Sequence, residues 1–148
     1  MRTLAETREE KIAKKKRLKE IKKFNLQKYR EYNKELKRKI PESEYLTTMK
    51  NEDNILEFDN LRSYFYTDAG TVKSVDGVTF EIPRGATVGV VGESGCGKSV
   101  TSLSVMRLLQ GPQGQIVGGQ IRYNQISKGR AIDLAKTSIK EMESIRGN

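Results

Sequence analysis

The chain of 148 residues has no histidine and a single cysteine, Cys96, and these two shortages exclude a good deal of chemistry. Neither a Ser-His-Asp triad nor a Cys/His zinc site can be assembled, and no disulfide can close within the chain. The lone thiol fits a reducing cytosol. No stretch approaches the roughly 20 apolar residues that a spanning helix requires, and the N-terminus lacks the continuous apolar run of a secretory signal. Such a chain reads as soluble or peripheral. No internal repeat is present. A hydrophobic share of 35% is low enough to suggest that part of the chain packs no core.

The charge shows which part that is. Residues 1–40 carry 16 Lys and Arg against 6 Asp and Glu, whereas residues 41–148 carry 12 against 13. The net charge of +9 therefore belongs to an N-terminal appendage, and nothing basic follows for the rest. From Glu6 to Ile40 there is neither Gly nor Pro, and the run stops at Pro41, as a long helix would. Tyr29, Tyr32, Leu36 and Ile40 fall at spacings of three and four, with Leu18 and Ile21 continuing the same face more weakly. Pro41 to Asp53 is polar and aperiodic and reads as a linker. The expected organisation is a basic helical extension over 1–44, a linker over 45–53 and a folded part over 54–148.

Past the linker the pattern changes. Ile55, Leu56, Phe58 and Leu61 predict one strand, and Val78 to Ile82 predict another across a Gly70 to Gly77 connection. Pro83-Arg84-Gly85 makes a turn. Ala86 to Val91 is apolar without alternation, which predicts a strand buried on both faces of a parallel sheet. From Lys98 to Gln110 the residues Val100, Leu103, Val105, Met106 and Leu109 have helical spacing, ended by Gly111-Pro112. Gly118 to Tyr123 reads as a short strand and Asp133 to Ile145 as a final polar helix or turn.

Between the apolar run and that helix stands Gly92-Glu93-Ser94-Gly95-Cys96-Gly97-Lys98-Ser99, which satisfies G-x-x-x-x-G-K-S/T in full. Phosphate oxygens need several N–H donors converging on one point, so the backbone must curl with no side chains inside the curl. Gly92, Gly95 and Gly97 permit this. The following helix turns its unpaired amides and the positive end of its dipole to the same place. Lys98 can reach the β- and γ-phosphates, and the Ser99 hydroxyl is placed to ligate Mg²⁺. Charge-assisted bonds contribute roughly 1.5–3 kcal/mol each, so several hold a nucleotide at micromolar concentrations or tighter. Thr101 either touches the α-phosphate region or merely caps the helix, and Cys96 is either a small residue tolerated in the loop or a thiol activated by the helix end. Tyr64, Phe65 and Tyr66 form an aromatic cluster whose rings belong either to the core or against a purine base.

Ile55 to Leu61, Phe65, Ala69-Gly70-Thr71-Val72, Val75-Asp76-Gly77-Val78 and the GESGCGKS loop followed by Val100-Thr101-Ser102-Leu103-Ser104 resemble the nucleotide-binding domain of ABC transporters. More narrowly they look like the ATPase subunits of oligopeptide and dipeptide importers. The resemblance runs from about Asn54 to Asn148 and includes Gly119 to Tyr123 and Ile145-Arg146-Gly147. It implies an α/β fold, the N-terminal portion of a P-loop NTPase with an antiparallel β subdomain, preceded here by the basic helix. It also implies ATP and Mg²⁺ as cofactors and an A-loop role for Phe65, whose ring would stack on adenine. Expected partners are the transmembrane permease subunits of an importer and a second ATP-binding subunit, at the cytoplasmic face of the membrane.

The departures from the family pattern matter equally. A Q-loop glutamine, an LSGGQ-type signature, a Walker B Asp-Glu pair and a switch His would all follow the last residue, so the sequence looks truncated. No carboxylate from Asp133 to Glu143 is expected to follow a buried strand as the Walker B acid does, and the chain alone is not expected to hydrolyse ATP. The strand Ala86 to Val91 would lack neighbours, which implies a marginal, aggregation-prone domain unless a partner supplies the rest. The basic extension, outside the family pattern, suits a solvated helix or an anionic membrane surface better than nucleic acid, for which no stacking platform or groove-reading motif is present. Two rival readings remain: a nucleotide-binding fragment that turns nothing over, and a different P-loop protein with a nucleic-acid-binding arm.

Overall fold

The computed structural model describes residues 7–147; the first residues of the basic extension and Asn148 lie outside the described part. Helix α1 spans Arg8–Lys37 and starts on a capping box, with the Glu10 amide donating to the Thr7 hydroxyl (3.2 Å) and the Thr7 amide to the Glu10 carboxylate (2.7 Å). It ends three residues before Ile40, where Arg38 turns out of the helix and forks onto both oxygens of Glu44 at 2.7 Å. The expected apolar stripe is only part of what holds it. Ile21, Tyr29 and Tyr32 are half-buried and Leu36 is exposed, whereas Asn25, which no periodicity marks, is the one buried residue of the helix.

Among the described residues, five antiparallel strands form one sheet in the order β1-β5-β4-β2-β3. They are β1 (Leu46–Thr47), β2 (Asn54–Thr67), β3 (Gly70–Pro83), β4 (Gly114–Gln125) and β5 (Arg130–Asp133). β2 and β3 make a hairpin of two 14-residue strands, so the segment expected as a Gly70 to Gly77 connection is itself strand. The two short apolar runs seen in the sequence are only its middle, because β-bulges between Phe58 and Leu61 and again near Ser63 shift the alternation. Phe58 stacks on Phe80 across the hairpin with centroids 4.1 Å apart. Phe58, Leu61, Val75, Ile121, Ile132, Leu134 and Met142 form the core, with Met142 supplied by helix α3 (Ile139–Arg146).

The stretch expected as a linker is packed. Glu42–Glu44 forms a 3₁₀ turn, Tyr45 is buried in the core cluster, and β1 pairs with β5 through Leu46 and Thr47. Two residues of strand are too few for a period to show. Arg130 closes this corner by donating to Glu42, to Gln125 (2.7 Å) and to Glu141 of α3 (2.6 Å).

Glu57 anchors the entry into β2. Only 3% exposed, its carboxylate accepts from the amides of Lys50 (2.9 Å) and Asn51 (2.8 Å) and from the Asn54 side chain (3.0 Å). Burial by itself would raise its pKa, but the two amides, Asn54 and the nearby Arg122 outweigh burial and hold it below the ordinary 4.5. A depressed carboxylate stabilises the fold above its unfolded pKa and loses that contribution as pH falls through the folded value. Unfolding stability is therefore expected to decline as pH drops below 4.5. Glu57→Gln should cost about 1–3 kcal/mol at neutral pH and flatten that acid slope, read from urea midpoints across the range.

Candidate phosphate-binding site

The chain leaves β3 at a turn in which the Ala86 amide donates to the Pro83 carbonyl (3.2 Å), then continues without regular secondary structure to the glycine loop. Here the expected buried strand is corrected. Residues 86–91 pair with no described strand, and Val88, Val90 and Val91 are 41%, 54% and 92% exposed. An apolar β-branched run becomes a two-sided buried strand only when strands lie on both sides of it. The described sheet ends at β3, which pairs with β2 alone.

The loop curls as its glycines allow. Gly95 and Gly97 have φ of +82° and +94°, and the Cys96 amide reaches back to the Glu93 carbonyl (3.4 Å). A Cβ on Gly97 would stand 2.3 Å from the Ser74 carbonyl oxygen of β3, and one on Gly92 would stand 2.7 Å from the Cys96 sulfur. The loop thus rests directly on the hairpin backbone, at a place no sequence pattern names. The Lys98 ammonium lies inside the curl, donating to the carbonyls of Gly92 and Glu93 at 2.6 Å each and approaching the Cys96 sulfur at 3.4 Å. Glu93, Ser94, Gly95, Cys96 and Ser99 are exposed, and Lys98 is half-buried.

Helix α2 runs from Lys98 to Val105, shorter than the expected span to Gln110 because Arg107 takes φ of +50° and breaks it. Gly97 is its N-cap and brings no side chain to the open amides of the first turn. Those donors are left for an incoming anion. Thr101 is buried and its hydroxyl donates back to the Gly97 carbonyl (3.0 Å), which fastens the first turn of the helix to the loop. Ser104 bonds Ser63 of β2 (2.8 Å) beneath it. The fully buried residues of α2 are therefore small and polar, beside partly buried Val100 and Val105 that pack against the core, while Leu103 and Met106, expected inside, are 41% and 39% exposed. The Ser63–Ser104 bond and the packing of Val100 and Val105 together set which side of α2 meets the sheet.

Phe65 lies near the end of β2, between Val72 of β3 and Gly114 of β4, half-buried with its ring against Gly114. Tyr66 is in the core and the Tyr64 hydroxyl donates to Asp76 (2.6 Å), so the aromatic cluster splits three ways. Asp133 requires a second correction: it does end a buried strand, being the last residue of β5 and 2% exposed. Its Oδ1 accepts from the amides of Ile121 and Ala135, both at 3.1 Å, which makes it a turn anchor. β4 and β2 separate β5 from β3, on which the loop rests, so at about 4.8 Å per strand it stands far from any phosphate in the curl. A cleft of about 650 Å³ opens elsewhere, between α1 and the segments around Arg107, Ile116 and Thr137. Volume points there and donor chemistry points to the loop; the donors decide, because a shallow nest of amides grips phosphate without enclosing it.

The sequence pattern of the ABC transporter family matches residues 75–146, a stretch that includes the loop and α2. The chain is similar to the oligopeptide transport ATP-binding protein AppD and the dipeptide transport ATP-binding protein DppD of Bacillus subtilis, each at 43% identity over 64% of this chain and 27% of theirs. It is 41% identical to the probable peptide ABC transporter ATP-binding protein y4tR of Sinorhizobium fredii, over 65% of this chain and 27% of that one. The chain thus matches about a quarter of the length of these curated relatives. Its mixture of helix and antiparallel sheet agrees with the N-terminal portion of an ABC nucleotide-binding domain.

Proposed function

We propose that this chain is the phosphate-gripping part of an ATP-binding component of a peptide-type ABC import system. The observation that carries the reading is the loop from Gly92 to Ser99, with left-handed Gly95 and Gly97, the Lys98 ammonium inside the curl and an uncapped helix start behind it. On this reading Gly92, Glu93, Ser94, Gly95, Cys96 and Gly97 wrap the phosphates with their backbone. Lys98 exchanges its two carbonyl acceptors for phosphate oxygens. Thr101 holds the loop in place, and the half-buried ring of Phe65 would stack on adenine. The Ser99 hydroxyl is exposed and can take one position on Mg²⁺. No group of three or more acidic, His or Cys side chains that could hold a metal occurs among the described residues, so phosphate and water would fill most of the ion's shell.

Relatives named as ATP-binding proteins of peptide transport support membrane permease subunits as partners, and the resemblance to ABC nucleotide-binding domains implies a second ATP-binding subunit across the nucleotide. No helix of the described residues is long and apolar enough to cross a membrane, and a peripheral place on the cytoplasmic face suits an ATP-binding subunit. A docked basic helix supports an anionic lipid surface as a further contact: Lys11, Lys15, Lys16, Lys19, Lys22 and Lys23 are all exposed on α1. Full-length chain is expected to co-sediment with phosphatidylserine vesicles at low salt, and six charge-neutralising Lys→Gln changes at those positions should abolish it.

Asp133 being committed to a turn favours binding without turnover by this chain. Calorimetric titration should give Mg-ATP binding at micromolar concentration with no phosphate release above the uncatalysed rate. Steady phosphate release, or no binding at millimolar ATP, would refute the reading.

A further inference from the structure

Helix α1 is extraneous to the family pattern, yet it does not hang free. Its polar contacts with the sheet concentrate on the two backbone segments that flank the Phe65 ring. On one side, the Tyr29 hydroxyl donates to the Tyr66 carbonyl (2.7 Å) and the Asn25 amide group donates to the Thr67 carbonyl (2.9 Å). Phe24 meets the Tyr66 ring edge-on at 5.8 Å. On the other side, the Gln115 side chain donates to the Lys28 carbonyl (3.5 Å), and the Tyr32 hydroxyl packs so closely on Gly111 that a Cβ there would lie 2.3 Å from it. Gly114, between those two contacts, is the residue on which the Phe65 ring rests. The Tyr66 amide in turn donates to the Gln113 carbonyl (3.0 Å), joining the two segments.

This part of the sheet needs support from outside. Residues 65–67 pair with 70–72 at the tip of the β2–β3 hairpin, and hairpin tips fray when nothing packs on them. Asn25 is 5% exposed, so the contact with Thr67 is made in a protected place rather than on a solvated rim.

We propose that α1 is a brace for the base-binding end of the nucleotide site, with Asn25 and Tyr29 as positioning residues that hold Phe65 where an adenine ring can stack. The proposal rests on the reading of Phe65 as the base platform. It assigns the N-terminal helix a part in choosing the base, separate from the phosphate grip of the loop 92–99.

The test compares the full-length chain with its Tyr29→Phe and Asn25→Ala/Tyr29→Phe variants, titrating Mg-ATP and magnesium tripolyphosphate, which has no base. Tyr29→Phe keeps the ring and removes one hydrogen bond, so it decides the matter if the double variant fails to fold. Affinity for ATP is expected to fall about fivefold or more while affinity for tripolyphosphate stays within about twofold. A merely structural role would weaken both ligands together, and that result, or no change in either, overturns the brace. Phe65→Ala serves as the reference. If it lowers ATP affinity selectively and the α1 variants do not, the brace alone is wrong. If Phe65→Ala leaves the preference for ATP over tripolyphosphate intact, the base platform fails and the brace falls with it.

Discussion

Replacing Lys98 by alanine is expected to lower Mg-ATP affinity by at least about a hundredfold. The ammonium holds two backbone carbonyls, Gly92 and Glu93, at 2.6 Å, and both lie on the loop that would receive phosphate. Each charge-assisted bond it makes to a phosphate oxygen is worth roughly 1.5–3 kcal/mol, and two such bonds correspond to about two to four decades of affinity. The free chain loses much less. Lys98 is half-buried and its partners are loop carbonyls that water can satisfy, so the melting temperature of Lys98→Ala should stay close to the parent value. Titration of ATP into both proteins, with thermal unfolding as the control, separates a binding defect from a folding defect. An affinity within about threefold of the parent would remove Lys98 from the site.

The second large effect is expected at Gly97. Its φ of +94° is a conformation that L side chains rarely adopt, and the added Cβ would stand 2.3 Å from the Ser74 carbonyl oxygen. That oxygen belongs to the backbone of β3 and cannot swing aside as a side chain could. Either the loop lifts off the hairpin or the hairpin shifts, at a combined cost of about 2–5 kcal/mol from backbone strain and overpacking. Gly97→Ala should therefore eliminate measurable ATP binding and raise hydrogen exchange through α2, whose Thr101 bond to Gly97 and Ser104 bond to Ser63 depend on the same seat. Gly95→Ala supplies the contrast. With φ of +82° but nothing within 4 Å of its added Cβ, it should cost only the strain of about 1–2 kcal/mol. Equal effects at the two glycines would mean that contact with β3 does not position the loop.

The glycine loop was legible in the sequence because its chemistry is local: eight consecutive residues specify the curl, the ammonium and the helix start. α1 was legible for the same reason, since a run from Glu6 to Ile40 without Gly or Pro needs no tertiary help to be recognised, although its Thr7–Glu10 capping box was not read there. What escaped depended on distant partners. Ala86 to Val91 has the composition of a central strand, but a strand exists only beside another, and none of the described strands flanks it. β2 and β3 were seen as fragments because bulges at Phe58–Leu61 and Ser63–Tyr64 interrupt the period that reveals a strand. Leu103 and Met106 promised a buried helix face, whereas Val100, Val105 and the Ser63–Ser104 pair are the contacts that α2 makes with the sheet and core. Asn25 helps to dock α1 by a hydrogen bond to a carbonyl 42 positions away, and nothing local distinguishes it from the other polar residues of the helix.

Phosphate contact by the backbone between Gly92 and Ser99 can be observed directly in a ¹⁵N–¹H spectrum of the full-length chain titrated with Mg-ATP. The amides of Gly95, Gly97, Lys98 and Ser99 should move first and furthest, downfield as they begin to donate to anionic oxygens, while those lining the cleft near Arg107 and Thr137 stay in place. Shifts confined to that cleft or to α1, with the loop amides unmoved at saturating nucleotide, would contradict the account.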